Sequence, residues 1–103
     1  MHSLVFNLVG QKGYDCIGLV KHVCEIRGVP FPNLINARLL SCSITDLQSD
    51  DVICFDFHGK GVDHLGVYLG DNKFIHSLDT TGVIISNINH RYYERRYKGV
   101  VGG

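Results

Sequence analysis

Apolar residues recur at steps of three and four between positions 16 and 27, a pattern that predicts an amphipathic helix. Its apolar stripe consists of Ile17, Leu19, Val20, Val23, Cys24 and Ile26. Asp15 precedes the stripe and is a favourable N-cap, because its carboxylate can accept a bond from an unpaired N–H group of the first turn. Gly28 follows the stripe and can adopt the left-handed conformation that ends a helix. We therefore expect a helix that begins at Asp15-Cys16 and ends before Gly28.

Beyond this helix the pattern changes. The segment VPFPN predicts a rigid turn, because each proline restricts its own φ and the residue before it. Asn33 can cap a short helix over residues 34–40. From residue 52 onward, β-branched and aromatic runs alternate with turn signals, which predicts strands. The expected elements are strands at 52–57, 63–69, 73–78 and 83–86, a turn at 58–61, a helical turn within 87–98 and a last short strand at 99–101.

The order of these elements predicts an α+β fold. Helices come first and antiparallel strands follow, so a helix packed on a small curled antiparallel sheet is the expected architecture. The chain has 103 residues, a length that fits one domain covering residues 1–103. No internal repeat, linker or low-complexity tract divides it.

Composition and charge argue against several classes of protein. Lys plus Arg and Asp plus Glu both number 10, so the formal charge of zero gives no general reason to bind nucleic acid or an anionic membrane. No apolar run approaches the ~20 residues of a membrane span, and the start MHSLVFNLVG lacks the features of a signal peptide. The basic, tyrosine-containing segment 90–98 is interpreted as a solvated edge. We expect a compact domain that binds neither nucleic acid nor membrane.

The four cysteines do not form a metal-binding pattern. No CxxC pair occurs, and without a secretion signal we expect free thiols. Cys24 and Cys54 lie in apolar segments and are expected in the core, whereas Cys42 lies in a polar loop. Cys16 differs, because it falls in the first turn of the predicted helix, where unpaired N–H groups and the helix dipole favour a thiolate. Taken alone, Cys16 is also consistent with a cysteine buried between helix and sheet.

Two histidines lie on consecutive predicted strands. His64 and His76 are joined by a turn at residues 70–72, and the length of that turn decides whether the two rings share a face of the sheet. A two-residue Asp-Asn turn would pair Gly70 with Lys73. The histidines would then lie on opposite faces.

A three-residue turn gives the opposite result. It pairs Leu69 with Lys73, and therefore Gly66 with His76, which brings the two histidines to one face as diagonal neighbours. Asn72 tolerates the left-handed conformation that such a turn requires. Gly66 leaves room for the ring opposite it. The geometry thus permits a histidine pair.

A thiolate at a helix start, an imidazole base and a second group that orients the imidazole form the logic of a cysteine protease triad. Cys16, His64 and His76 could fill these roles, with N–H groups at the helix start as oxyanion donors. The other histidines are weaker candidates: His2, His22, His58 and His90 lie in a terminal segment, elsewhere on the helix, in a turn and in the basic tail. A metal site built from them lacks any HxH or HExxH spacing.

Three local strings carry a resemblance to a known family. YDCIGLV at 14–20, DDVICF at 50–55 and DHLGVYLGDNKFIHS at 63–77 resemble the hallmark blocks of NlpC-type cell-wall cysteine peptidases, in the same order and at matching intervals of 48 and 12 residues. The likeness covers nearly the whole chain, from about Phe6 to Val101. The closing stretch RYYERRYKGVV is similar to the versions in bacteriophage tail proteins.

The resemblance implies a minimal papain-like fold with Cys16 as nucleophile, His64 as base and His76 as third polar residue. It also implies Asp15 as the acidic residue before the nucleophile. The chain departs from the family at three places: Ile17 replaces the usual serine, Phe6 stands where a tyrosine commonly supports the oxyanion region, and Asp50-Asp51 replaces the usual Gly-Asp before the first strand. Loss of a tyrosine donor lowers activity by about 10²–10³ where that donor holds the oxyanion.

The resemblance further implies hydrolysis of peptidoglycan stem peptides at the bond between γ-D-glutamate and the diamino acid, through a thioester and without metal or organic cofactor. The implied partners are peptidoglycan peptides and other phage tail proteins, and the implied location is the cell wall, reached within a virion tail or after release. Two alternatives stay open on the residues: a tail assembly domain that has lost catalysis, and an acyltransferase or amidase that uses the same three residues.

Overall fold

The computed structural model describes residues 3–102, which form one six-stranded antiparallel sheet with helices packed against it. The helices are α1 (Ser3–Phe6), α2 (Cys16–Arg27) and α3 (Arg91–Arg96), and a single 3₁₀ turn covers Ile44–Asp46. The strands are β1 (Arg38–Leu40), β2 (Val52–Phe55), β3 (His64–Gly70), β4 (Lys73–Leu78), β5 (Gly82–Asn87) and β6 (Tyr97–Gly102). The α+β prediction is confirmed.

Both ends of α2 form as the sequence predicts. The Asp15 carboxylate accepts the N–H of Gly18 at 2.6 Å, and Gly28 ends the helix in the left-handed conformation with φ 69°. A Cβ on residue 18 would lie 2.8 Å from the Asp15 carboxylate oxygen, so any larger residue would force this carboxylate to shift. At the far end, Arg27 donates to Asp50 at 2.8 Å and joins the helix to the loop before β2.

The strands are ordered β1-β6-β2-β3-β4-β5. The β3–β4 hairpin has the two-residue turn, and a bulge then gives it the register expected from the three-residue turn. Gly70 pairs with Lys73 around a two-residue turn, in which Asp71 and Asn72 both have positive φ. A bulge between Tyr68 and Gly70 then shifts the register by one residue.

Beyond this bulge, Val67 pairs with Ile75, so the register places Gly66 opposite His76. That is the pairing predicted from a three-residue turn, although the turn itself has two residues. A Cβ on Gly66 would lie 2.9 Å from the carbonyl oxygen of Ile75 and 3.0 Å from the Phe74 ring. A larger residue at position 66 would collide with the Ile75 carbonyl and the Phe74 ring, so only glycine fits there.

The sheet carries a different core on each face. On one face α2 packs against β3 and β4 over an aliphatic core that contains Leu19, Val23, Cys54, Val67 and Ile75. The other face carries an aromatic core formed by Phe55, Tyr68, Phe74, Tyr93 and Tyr97, with Ile53, Leu47 and Ile88. Even-numbered positions of β3 and β4 face the aromatic side, which is where both histidines lie.

Residues 34–40 depart from the prediction of a short helix. Asn33 accepts the N–H of Ile35 in a local turn, and the segment continues into strand β1, which pairs with β6. The apolar spacing of 34–40 does not distinguish these states, and pairing with the distant β6 decides in favour of the strand. No helix within residues 3–102 is long and apolar enough to cross a membrane.

Candidate active site

Cys16 and His64 line the same cleft, although they come from different elements. Cys16 is the first residue of α2, and His64 is the first residue of β3. The antiparallel register brings the end of β4 beside the start of β3, so Ser77 and Leu78 complete the wall. The cleft has a volume of about 300 Å³ and is lined by Tyr14, Asp15, Cys16, Phe57, His58, Asp63, His64, Ser77, Leu78 and Asp79.

The first turn of α2 holds two unused backbone donors beside the thiol. The Asp15 carboxylate accepts the N–H of Gly18, and the Asp15 carbonyl accepts that of Leu19. Within residues 3–102, the N–H groups of Cys16 and Ile17 have no protein acceptor. Two adjacent free N–H groups at a helix start can bind a developing oxyanion.

His64 is buried and tightly held. It is 6% exposed, and the Phe57 ring stacks on it with a centroid distance of 4.3 Å. Its Nε2 lies 2.9 Å from Nδ1 of His76. Within the described part of the chain its Nδ1 makes no hydrogen bond, so this nitrogen is the one available to a proton donor in the cleft.

His76 lies behind His64 and is fully buried. The Phe74 ring stacks on it at 4.4 Å, and Tyr93 meets it edge-on at 5.2 Å. Its second nitrogen, Nε2, lies 2.8 Å from the hydroxyl oxygen of Ser86. Both ring nitrogens are therefore hydrogen-bonded, and the ring has no freedom to rotate.

Burial sets the protonation state of both histidines. It lowers the pKa of His64 to about 4, an effect that the nearby Asp63 carboxylate partly offsets. Burial and the neighbouring His64 lower the pKa of His76 to about 3. Both rings are consequently neutral at pH 7, where each has one nitrogen that donates and one that accepts.

Two contacts fix the loop before Cys16. The Ser77 hydroxyl donates to the carbonyl of Tyr14, and the Tyr14 hydroxyl lies 2.5 Å from Nδ1 of His22. Since Ser77 follows His76 on β4, the first contact joins the nucleophile loop to the strand that carries the histidine pair. The second joins the same loop to the middle of α2.

Most of the predicted site residues come together, but Phe6 does not. The structure brings Cys16, His64 and Asp15 to the cleft, with His76 directly behind it. Phe6 lies in α1, is 49% exposed and lines a separate groove with Leu69 and Ile85. The predicted support role of Phe6 at the oxyanion is therefore not matched by its position.

The remaining cysteines and histidines lie outside the catalytic set. Burial raises the pKa of Cys54 to about 11 and also raises that of Cys24, which leaves both thiols protonated in the core. His58 contacts Asp63 at the rim of the cleft, and His90 caps α3. His2 lies outside the described residues. Across residues 3–102, no group of three or more His, Cys, Asp or Glu side chains is arranged to hold a metal ion.

Two residues of the site were missed from the sequence. Phe57 covers one face of His64, and Ser86 binds the far side of His76. Ser86 has no local signal, because a serine in a strand is common. Pairing β4 with β5 across the turn after Leu78 would have placed Ser86 on the same face of the sheet as His76.

Comparisons with known proteins identify the family of this chain. Residues 5–102 match the model of the NlpC/P60 family. The chain is 34% identical over 91 residues to the murein DD-endopeptidase MepS/murein LD-carboxypeptidase of Escherichia coli, covering 84% of this chain and 48% of that protein. It is 33% identical over 90 residues to the probable peptidoglycan endopeptidase LytE of Bacillus subtilis, covering 85% of this chain and 26% of that protein.

A solved structure extends the comparison to the fold. The crystal structure of an NLP/P60-family protein similar to a lipoprotein, from Staphylococcus aureus, matches 96% of this chain and 38% of that chain with a TM-score of 0.68 at 22% identity. The chain thus spans about half the length of its E. coli relative and less of the others. Because the family model covers nearly every residue and the blocks around Cys16, His64 and His76 lie within it, the chain belongs to the NlpC/P60 family.

Proposed function

We propose that this domain hydrolyses amide bonds of peptidoglycan stem peptides as a cysteine peptidase. The observation that carries the proposal is the shared cleft of Cys16 and His64, with His64 held by His76 through a 2.9 Å hydrogen bond. Two relatives whose names identify them as peptidoglycan or murein endopeptidases support the substrate class.

The chemistry follows from the free atoms of the cleft. Nδ1 of His64 takes the proton of the Cys16 thiol as the sulfur attacks the carbonyl carbon. The N–H groups of Cys16 and Ile17 bind the resulting oxyanion. The imidazolium then delivers its proton to the leaving amine, and a thioester is formed. A water molecule deprotonated by His64 attacks the thioester, which releases the carboxylate and restores the thiol.

The cleft holds Cys16 and His64 without a direct hydrogen bond between them in this structure. Catalytic contacts of this kind are often long in the absence of substrate and shorten in the complex. Because His64 is neutral at pH 7, it can accept the thiol proton when the contact forms.

The acidic rim of the cleft supports a bond next to a diamino acid. Asp63 and Asp79 both line it, and their carboxylates attract a cationic amino group. Together with the bond that the family resemblance implies, this leads us to propose the γ-D-glutamyl-diamino acid bond as the scissile bond. Asp79→Asn is expected to raise KM for a stem peptide with a free side-chain amine and to leave kcat nearly unchanged. An equal effect on an analogue without that amine would contradict this choice of bond.

Activity assays with added amines separate hydrolysis from acyl transfer, which uses the same residues. New amide products formed in proportion to the amine would indicate a transferase, whereas free carboxylate alone supports the hydrolase.

Association with a phage tail, predicted from the segment RYYERRYKGVV, is proposed separately as the route to the cell wall. Detection of this chain in purified virions by mass spectrometry tests that association.

A further inference from the structure

Three polar side chains form one line across three adjacent strands. His64 lies on β3, His76 on β4 and Ser86 on β5, and the distances between successive polar atoms are 2.9 Å and 2.8 Å. On β4 and β5, Phe74 pairs with Ser86 and His76 with Ile84, so Ser86 is the diagonal neighbour of His76 on the same face. The line continues from the cleft to the far side of the histidine pair.

The direction of the hydrogen bonds along this line decides whether His64 can act as a base. If the Ser86 hydroxyl donated to Nε2 of His76, the Nδ1–H of His76 would donate to Nε2 of His64. The proton of neutral His64 would then sit on Nδ1, and this nitrogen could not accept the thiol proton. The opposite direction leaves Nδ1 of His64 with a free lone pair.

We propose that Ser86 is a positioning residue that accepts the Nε2–H of His76 and so holds His76 in the tautomer that accepts from His64. This inference rests on the proposed function of Cys16 and His64. The position of Ser86 suits an acceptor, because it is half-buried and lines a hollow with Asn87, His90 and Tyr92. Its own O–H can donate to solvent there, which leaves the oxygen lone pair for His76.

The surroundings offer His76 no substitute for Ser86. The ring is fully buried between Phe74 and Tyr93, and its other nitrogen is occupied by His64. The titratable groups around the pair are Cys16, Asp63 and Tyr93, together with His58 on the far side of Asp63. None of them is hydrogen-bonded to Nε2 of His76 within residues 3–102.

The test compares Ser86→Ala with Ser86→Thr, which keeps a hydroxyl on a strand. We expect Ser86→Ala to lower kcat on a purified muropeptide by about tenfold to hundredfold at unchanged KM, the range found when a group that orients a metal-ligating histidine is removed. Ser86→Thr should recover most of the loss. Ser43→Ala is the control, because it removes a hydroxyl bonded to Thr45 at 3.0 Å at the start of the 3₁₀ turn, away from the hairpin bulge and the histidines, and should leave kcat unchanged.

A second readout does not depend on activity. Two-bond ¹H–¹⁵N spectra of the histidine side chains report which nitrogen carries the proton. In the wild-type chain we expect Nε2–H on both His64 and His76, and in Ser86→Ala a mixture of tautomers at His76. Nδ1–H on His76 of the wild type, or unchanged kcat and spectra in Ser86→Ala, would overturn the proposal. If the wild-type chain shows the expected tautomers but does not cleave muropeptides, the proposed function is contradicted. The role of Ser86 in setting the tautomer of His76 is then still supported.

Discussion

His64 and His76 lie twelve residues apart in the sequence, yet their rings meet through a 2.9 Å hydrogen bond between Nε2 and Nδ1. The bulge between Tyr68 and Gly70 makes this possible, because it reverses the facing of every later residue relative to a plain two-residue hairpin. A local irregularity in one hairpin therefore assembles the proposed base and its orienting partner. The consequences can be tested separately for activity, stability and local geometry.

The first prediction concerns the pH dependence of activity. Because burial lowers the pKa of His64 to about 4, the ring stays neutral and able to accept a proton well below the usual histidine range. The acid limb of kcat/KM should therefore lie near pH 4, where protonation of His64 removes the base. Rates measured from pH 3.5 to 8, with folding followed by circular dichroism at each pH, check this. An acid limb near pH 6.5 in a folded chain would contradict it.

The second prediction concerns stability and pH. The folded pKa values of His64 and His76, about 4 and about 3, lie below the unfolded value of about 6.5. Between these limits the unfolded chain binds more protons than the folded chain, so the free energy of unfolding falls as pH drops below 6.5. Linkage gives a loss of up to about 2 kcal/mol per histidine between pH 7.5 and 5.

Urea unfolding of the wild type and of His76→Gln at the two pH values isolates this effect. The variant should be less stable at pH 7.5, but it should lose less stability than the wild type on going to pH 5. The difference between the two losses is the measured quantity, so it does not depend on the overall cost of the substitution. Equal losses in the two proteins would be inconsistent with a neutral buried His76.

The third prediction concerns the cap of α2. Asp15→Ala removes the 2.6 Å bond to the Gly18 N–H and should lower the free energy of unfolding by about 1 kcal/mol. Asp15→Asn keeps a cap acceptor and serves as the matched control, with most of the stability retained. Chemical denaturation measures both. If Ala and Asn variants are equally destabilised, the contribution of Asp15 is its charge rather than its cap.

The fourth prediction concerns the glycine opposite His76. Gly66→Ala places a methyl group 2.9 Å from the Ile75 carbonyl oxygen and 3.0 Å from the Phe74 ring. Because a backbone atom cannot move aside easily, we expect a loss of about 1–3 kcal/mol in the free energy of unfolding. The same strain should displace the histidine pair and lower kcat. If the variant keeps the stability and kcat of the wild type, β3 and β4 can move apart around the added methyl group without a loss of free energy, which would contradict this prediction.

The sequence predicts α2 well because its signals are local, but it leaves the facing of His64 and His76 open, because that facing depends on the bulge between Tyr68 and Gly70. The cap at Asp15, the ending at Gly28 and the alternation along β3 and β4 are all read from neighbouring residues. The strand over 38–40 is not, because it forms only by pairing with β6 about sixty residues later. The local cap signal at Asn33 favoured a helix there, and long-range pairing overrode it.

The site shows the same division between local and distant signals. Cys16 could be identified from its place at a helix start, whereas Ser86 acquires its role only from the β4–β5 register. Phe6 was assigned by its distance along the chain from Cys16, and the short helix α1 places it in another groove. Sequence separation alone does not determine which residues reach the cleft.

The most direct test of the central claim is mass spectrometry of muropeptides from purified sacculi incubated with the wild-type chain, with Cys16→Ala and with Cys42→Ala. Cys42 is a free, half-buried thiol outside the cleft, so its variant controls for loss of a thiol in general. We predict new stem-peptide fragments with the wild type and with Cys42→Ala, and a loss of at least about 10³-fold with Cys16→Ala. Equal fragment yields from Cys16→Ala and the wild type, or no fragments from a folded wild-type chain across several peptidoglycan chemistries, would contradict the account.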